Sequence, residues 1–353
     1  MHEKKRQEPI VLVDTTDMPE NEWHEWRRKG IGGSDLAVLM NASPYSTVRD
    51  LWRKKSGIPI ALEEEERNTN LLAKERGHAL EPVVAAEFAR QTGLIPFEDK
   101  KIFRHPVHKF MIANVDRFLW IPDGMKDKLA ILECKTASVH QKDKWENEAV
   151  PLYYELQCRH YMAVNDIDVC FIACLFDDLT FVWRRIERDR DYEASIIAQE
   201  EDFWVNYVVA GVEPEYTEKP DLVLASIRQY YGHANLEADE VQLPASMIKT
   251  LVEYEKVKLE KEGLEKSLKA VDERLKALSA PIRDTMGTAC KAVCKLGSND
   301  FTVTFKPTYR DVTDTKAIKA QYPEVYNEFT ERREYSRPFS VKRNKTKVEK
   351  SAS

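Results

Sequence analysis

The sequence predicts a mixed α/β (α+β) fold, with a mixed central sheet flanked by helices and a mainly helical C-terminal extension. Three observations predict it. Between residues 100 and 187 the apolar pattern alternates in stretches rich in Val, Ile, Phe and Trp, as strands do. Segments of helical period precede, interrupt and close that block, the layering of a sheet covered by helices. Beyond Gly211 the strand-like runs give way to a long charged helical pattern.

In chain order, residues 1–18 read as a flexible lead-in and Pro19 to Arg28 as an amphipathic helix carrying Trp23 and Trp26. GIGGSD (30–35) is a turn feeding a helix, with Ser34 or a neighbour as cap. Thr47 to Ser56 is a helix stopped by Gly57 and Pro59, and Asn68 to Thr92 a long one ending at Gly93. Strands follow at 100–105, 109–121, 129–137, 167–177 and 179–187, with helices at about 145–165 and 190–210. These elements form one domain, 19–210. Residues 211–245 are a linker region with local structure, 246–345 a helical, coiled-coil-like extension with a possible strand at 299–306, and 346–353 a disordered basic tail.

Within 246–279, Leu264, Leu268, Val271, Leu275 and Leu278 recur at alternating steps of four and three, a heptad seam interrupted upstream by Lys261. A helical hairpin inside the domain and an oligomeric coiled coil both fit. Tyr335, Arg337, Phe339 and Lys342 form either an aromatic-basic strip for DNA or a partner, or a packed tail.

The 353 residues carry a formal net charge of −6, which argues against a non-specific nucleic-acid coat, so positive charge for DNA must be gathered locally. Of the six cysteines none forms a CxxC pair, and Cys170 and Cys174 lie in the apolar run VCFIACLF. Core thiols are expected rather than a zinc or iron–sulfur site. MHEKKRQEPI lacks the apolar core of a secretion signal, and no run is long enough to span a membrane; a soluble protein of the cytoplasm is expected.

One segment concentrates chemistry. Phosphodiester hydrolysis calls for a divalent cation, carboxylates to hold it and a positive group to orient the nucleophile. Ile112 to Ser138 supplies all but the cation: Asp116 opens an apolar strand, and Glu133 and Lys135 lie two apart on the next, on one face, with Cys134 facing away. Asp123, in a literal Pro-Asp-Gly, is the rival aspartate. PDGMKDK marks a hairpin tip, however, and folding about it brings Glu133 opposite residues 116–118 and leaves Asp123 exposed. The blander alternative is a strand salt bridge between Glu133 and Lys135, with Asp116 a turn residue.

The flanks carry a resemblance. Residues 23–57 (WHEWRRKGIGGSDLAVLMNASPYSTVRDLWRKKSG), 76–93 (RGHALEPVVAAEFARQTG), NVDRFL with ILECKTAS, and YYELQCRHYMAV (153–164) resemble, in order, the blocks of the YqaJ-like viral recombinase family, relatives of phage lambda exonuclease. The resemblance spans residues 20–210. It implies a restriction-endonuclease-like PD-(D/E)XK core and a Mg2+- or Mn2+-dependent 5′-to-3′ exonuclease that resects double-stranded DNA ends to 3′ single strands.

By the same resemblance Asp116 and Glu133 are metal ligands, joined by the Cys134 carbonyl and by Glu81, while Lys135 is the catalytic lysine and Gln157 stands beside the centre. Arg27 and Ser34 match a 5′-phosphate pocket, which suits an arginine fork beside a helix N-terminus. Tyr161, one turn after Gln157, packs beside it and is grouped with Arg27 and Ser34 as a residue for the 5′ phosphate and DNA. Taken alone, Glu81 reads as a solvated helix glutamate, Arg27 and Ser34 as surface and cap residues, and Gln157 and Tyr161 as ordinary helix positions. Arg117 stands where a glycine is common, a departure expected to touch no ligand but to change how DNA approaches. His78, His105, His108 and His160 show no ligand spacing and are expected to be structural. The implied partners are a single-strand annealing protein of the RecT or Redβ type and further copies of the chain, as in a trimeric ring. An endonuclease or single-strand nuclease on the same core, and a non-catalytic DNA-binding or assembly protein, remain the competing readings.

Overall fold

A computed structural model describes residues 7–61, 71–296 and 299–330. The chain divides into two compact units, Met1–His233 and Ala234–Ser353.

The first unit begins with β1 (Ile10–Asp14), α1 (Glu20–Arg28), α2 (Gly33–Leu39), α3 (Val48–Lys55) and α4 (Leu71–Thr92). It continues through β2 (Pro96–Phe97), β3 (Lys101–Arg104), β4 (Ile112–Ala113), β5 (Arg117–Asp123) and β6 (Lys126–Ala137). Then come α5 (Leu152–Asn165), β7 (Val169–Phe176), β8 (Phe181–Glu187), α6 (Arg190–Phe203) and α7 (Pro220–Tyr231). The central sheet runs β2-β5-β6-β7-β8. β6 and β7 are parallel, joined by the α5 crossover, and the other neighbours are antiparallel. A second sheet, β1-β3-β4, lies beside it. The mixed sheet flanked by helices is the fold class the sequence predicts.

Alternation divides the central sheet into two apolar faces. Leu119, Leu132, Cys134, Phe171 and Ala173 pack with Val84, Ala85 and Phe88 of α4. Phe118, Ile131, Cys170, Ile172 and Cys174 pack with Cys158, Tyr161 and Met162 of α5. Both helices are therefore pinned to β6, the strand that carries Glu133 and Lys135.

Several expectations are corrected. Residues 10–14 are a strand rather than lead-in, because the β-branched run IVLVD pairs antiparallel with β3. The strand expected at 109–121 is broken: β4 pairs with β3, and β5 joins the central sheet. The break follows from competing partners, since Ile112 N donates to the Ile31 carbonyl and the Ile112 carbonyl bonds His160 Nε2. The helix expected from 145 starts only at Leu152. Pro151 disfavours a helical Val150, and a short 3-10 segment, Val139–Trp145, precedes it. Residues 211–233, expected as linker, belong to the first unit. Arg53 pairs with Glu213 at 2.9 Å, Arg49 Nε donates to the Pro214 carbonyl, and Ser226 of α7 donates to Asp50.

The second unit contains the single helix α8 (Ile248–Met286), the hairpin strands β9 (Lys291–Leu296) and β10 (Asn299–Thr304), α9 (Thr315–Gln321) and α10 (Pro323–Glu328). No turn interrupts α8, so the helical-hairpin reading of 246–279 fails. Four cysteines are buried as expected, but Cys290 and Cys294 are exposed, on the approach to and along the hairpin. Tyr335, Arg337, Phe339, Lys342 and the 346–353 tail lie outside the described residues.

His160 and Glu200 are fully buried and meet at 2.7 Å. Burial works against the imidazolium, but the Glu200 carboxylate and the Ile112 carbonyl hold its pKa above the ordinary histidine value. Glu200→Ala leaves that charge without a partner and is expected to cost about 3–5 kcal/mol. Chemical denaturation of the variant checks this.

Candidate active site

The β5–β6 register fixes the centre. Arg117 faces Leu132 and Asp123 faces Lys126, so the hairpin turns at Gly124–Met125 and Asp116 falls just before the strand, level with Glu133. Asp123 sits at the solvent end and its carboxylate is 3.9 Å from Lys128, which agrees with its reading as turn chemistry. Asp116 Oδ2 accepts from the Cys134 amide at 2.9 Å, which anchors the aspartate across the ladder.

Glu133 and Lys135 project toward α5. Lys135 Nζ lies 2.6 Å from Glu133 Oε1 and donates to Gln157 Oε1 at 3.1 Å. Gln157 Nε2 donates to the same Glu133 oxygen at 2.6 Å and lies 3.0 Å from the Tyr161 hydroxyl. Gln157 and Tyr161 are one helical turn apart, so both reach the centre from one face of α5. Glu133 Oε2 is buried and has no hydrogen-bond partner. An orphaned carboxylate oxygen beside a second carboxylate fits a cation; left alone, it is costly to bury.

Burial, reinforced by the Asp116 charge and opposed by Lys135, pushes the Glu133 carboxyl from its ordinary 4.5 up to about 8. The Lys135 pKa is raised as well: burial lowers it, but Glu133 and Asp116 together hold the ammonium well above its ordinary value.

Glu81 lines the same cavity from α4, where burial first, and Asp116 next, raise its pKa against the pull of Arg117. Here the expectation for Arg117 is corrected. Register turns its side chain toward α4, and its Nη1 bonds Glu81 Oε1 and the Asp116 carbonyl while Nη2 lies 2.8 Å from Glu98. Arg117 therefore pairs with Glu81 beside Asp116. Among the described residues no set of three His, Cys, Asp or Glu side chains is gathered as a metal cluster. Sequence reasoning missed this contact; the signal was a charged residue next to Asp116 on the inward side of an apolar strand.

The other wall of the cavity is the turn before α2. Arg27 Nη2 donates to Ser34 Oγ at 2.9 Å, and the guanidinium lies over the Trp23 ring, whose Nε1 donates to Asn114. Ser34 is not the cap: Gly32 is, and the Asp35 carboxylate accepts from its amide. Asp35 is buried against Lys55 at 2.6 Å, and Lys55 also donates to the Arg27 carbonyl. Burial opposes ionisation there, yet Lys55, Lys54 and Arg27 hold the Asp35 carboxyl well below the ordinary carboxylate range. Lys55, also missed in the sequence, ties the arginine helix to the glycine turn.

Gly33 joins this turn to the centre. A Cβ there would lie 2.7 Å from Tyr161 Cε1 and 2.9 Å from Gln157 Cγ, so α2 meets α5 through bare backbone. Thus Arg27, Ser34, Glu81, Asp116, Glu133, Cys134, Lys135, Gln157 and Tyr161 all line one cavity of about 820 Å³.

The YqaJ-like viral recombinase domain matches residues 22–168. The uncharacterized protein YqaJ of Bacillus subtilis (strain 168) is 30% identical over 335 residues, 94% of this chain and 97% of that one. Among solved structures, an alkaline exonuclease (LHK-Exo) from Laribacter hongkongensis is similar at a TM-score of 0.43 and 20% identity, over 55% of this chain and 94% of that one. A phage related exonuclease from Haemophilus somnus 129PT gives 0.39 and 14%, over 54% and 99%.

Two outcomes are expected. The folded-state pKa of Glu133 is raised, so without divalent metal its contribution to stability is fully present below about 4.5 and is lost as pH rises through about 8. Glu133→Gln removes that part of the slope, which denaturation across the range measures. Gly33→Ala forces α2 from α5 and is expected to lower the thermal midpoint by several degrees, for a cost of about 1–3 kcal/mol.

Proposed function

The chain belongs to the YqaJ-like viral recombinase family, and from that premise we propose that it is a phage-type recombination nuclease, a metal-dependent 5′-to-3′ exonuclease on double-stranded DNA ends. The single observation that carries the reading is the buried Glu133, with one unpartnered oxygen, beside the half-buried Asp116 and Lys135, opening into a cavity whose other wall is the Arg27–Ser34 turn.

Asp116, Glu133 and the Cys134 carbonyl would hold a Mg2+ or Mn2+ ion, with Glu81 joining when it parts from Arg117. When bound, the ion polarises the phosphate and lowers the pKa of a water. The chain's own groups do the rest. Lys135, kept charged by Glu133 and Asp116, offsets negative charge developing on the phosphate. Gln157 fixes the Glu133 carboxylate and the lysine in one arrangement. Arg27, Ser34 and the amides at the start of α2 suit a terminal phosphate, which sets the scissile bond at a fixed reach from the end. That turn favours an end-dependent enzyme over an endonuclease or single-strand nuclease on the same core. A non-catalytic DNA-binding or assembly protein has no use for a buried Glu133 carboxylate beside Asp116.

Substrates are double-stranded DNA ends, and products with 3′ single strands suit a single-strand annealing protein of the RecT or Redβ type as partner. A homo-oligomer such as a trimeric ring around the duplex would retain the substrate between cuts. Among the described residues no helix is long and apolar enough to cross a membrane.

Digestion of linear duplexes with and without 5′ phosphates, beside a closed circle, tests the reading. Linear phosphorylated DNA is expected to be degraded and the circle spared; cleavage of the circle without 5′-phosphate preference supports the endonuclease instead. Asp116→Ala and Lys135→Ala are expected to cut the rate at least about 100-fold with folding intact by circular dichroism. Arg27→Ala is expected to erase most of the 5′-phosphate preference while slower hydrolysis persists.

A further inference from the structure

Helix α8 is 39 residues long, about 58 Å, and its seam of Leu264, Leu268, Val271, Leu275 and Leu278 is exposed along its length. The same seam takes in Tyr254 and Val257 upstream and Ile282 downstream, all exposed. A stripe of this extent at heptad spacing is built to be covered by another helix. We propose that it pairs with the same seam of a second copy of this chain as an antiparallel two-stranded coiled coil centred at Lys266.

The charges choose the orientation. In a parallel, in-register pair Lys261 meets its own counterpart in a core layer, and Glu260 faces Glu265 on both flanks. Only Glu253 against Lys258 compensates. An antiparallel pair centred at Lys266 removes both conflicts. Leu264 then packs on Leu268 of the second copy, Val257 on Leu275, Tyr254 on Leu278 and Thr250 on Ile282. Lys261 faces Val271, and its ammonium snorkels out to the flank beside Glu265. On the flanks Glu260 meets Arg274 and Lys258 meets Asp272, each twice by symmetry. The one like-charge contact, Glu265 against its counterpart, is relieved by Lys261, 3.6 Å away on the same helix. The pairing rests on α8 alone and is independent of the nuclease reading.

The test uses the full chain with its exposed Cys290 and Cys294 changed to Ser. In the proposed register Ser267 lies beside its counterpart, whereas the two Lys261 positions are about 15 Å apart along the axis. Mild oxidation of Ser267→Cys is expected to give covalent dimer in most of the protein, and of Lys261→Cys almost none. Light scattering of a Leu264→Asp, Leu268→Asp variant is expected to give half the mass of the parent. Cross-linking through Lys261→Cys but not Ser267→Cys overturns the orientation. A mass unchanged by the aspartates overturns the pairing and places the seam against its own chain.

Discussion

Keeping the Glu133 carboxylate inside the sheet is the constraint on which the rest of the first unit depends. A buried carboxylate with one unpartnered oxygen is unstable by itself, and the surrounding elements are arranged around that cost. Lys135 shares the strand face, α5 brings Gln157 and Tyr161 within hydrogen-bond reach, and the hairpin brings Asp116 level from the neighbouring strand. Gly33 lets α2 approach α5 closely enough for Arg27 and Ser34 to line the same cavity. The His160–Glu200 pair, one turn further along α5, ties that helix to the backbone leading into Asp116.

Electrostatically the centre is divided between two cations. Lys135 balances Glu133 from the α5 side of the sheet. Arg117 balances Glu81 and Glu98 from the α4 side. The chain can thus fold with its carboxylates close together.

Much of the site was legible because it is written in local, periodic terms. Strand alternation put Glu133 and Lys135 on one face, and the turn chemistry at Gly124 set the register that selects Asp116 over Asp123. What stayed hidden depends on partners distant in sequence. Nothing near 112–116 signals that His160 and Ile31 take up the Ile112 backbone and split the strand. The strand at 10–14 needed β3, nearly ninety positions on, before its IVLVD run had a place in a sheet. Arg117 reads as a departure from a pattern until the register turns it onto Glu81. Lys55 looks like one more surface cation in RKK until packing buries it on Asp35.

The most direct measurement is a calorimetric titration of Mn2+ into the metal-free protein near neutral pH, repeated in buffers of different ionisation enthalpy. Binding should expel a proton from Glu133, and Asp116→Ala should abolish both the heat and the proton release. Mn2+ binding that persists unchanged in Asp116→Ala, or no binding by the native chain, would contradict a cation site built on Asp116 and Glu133.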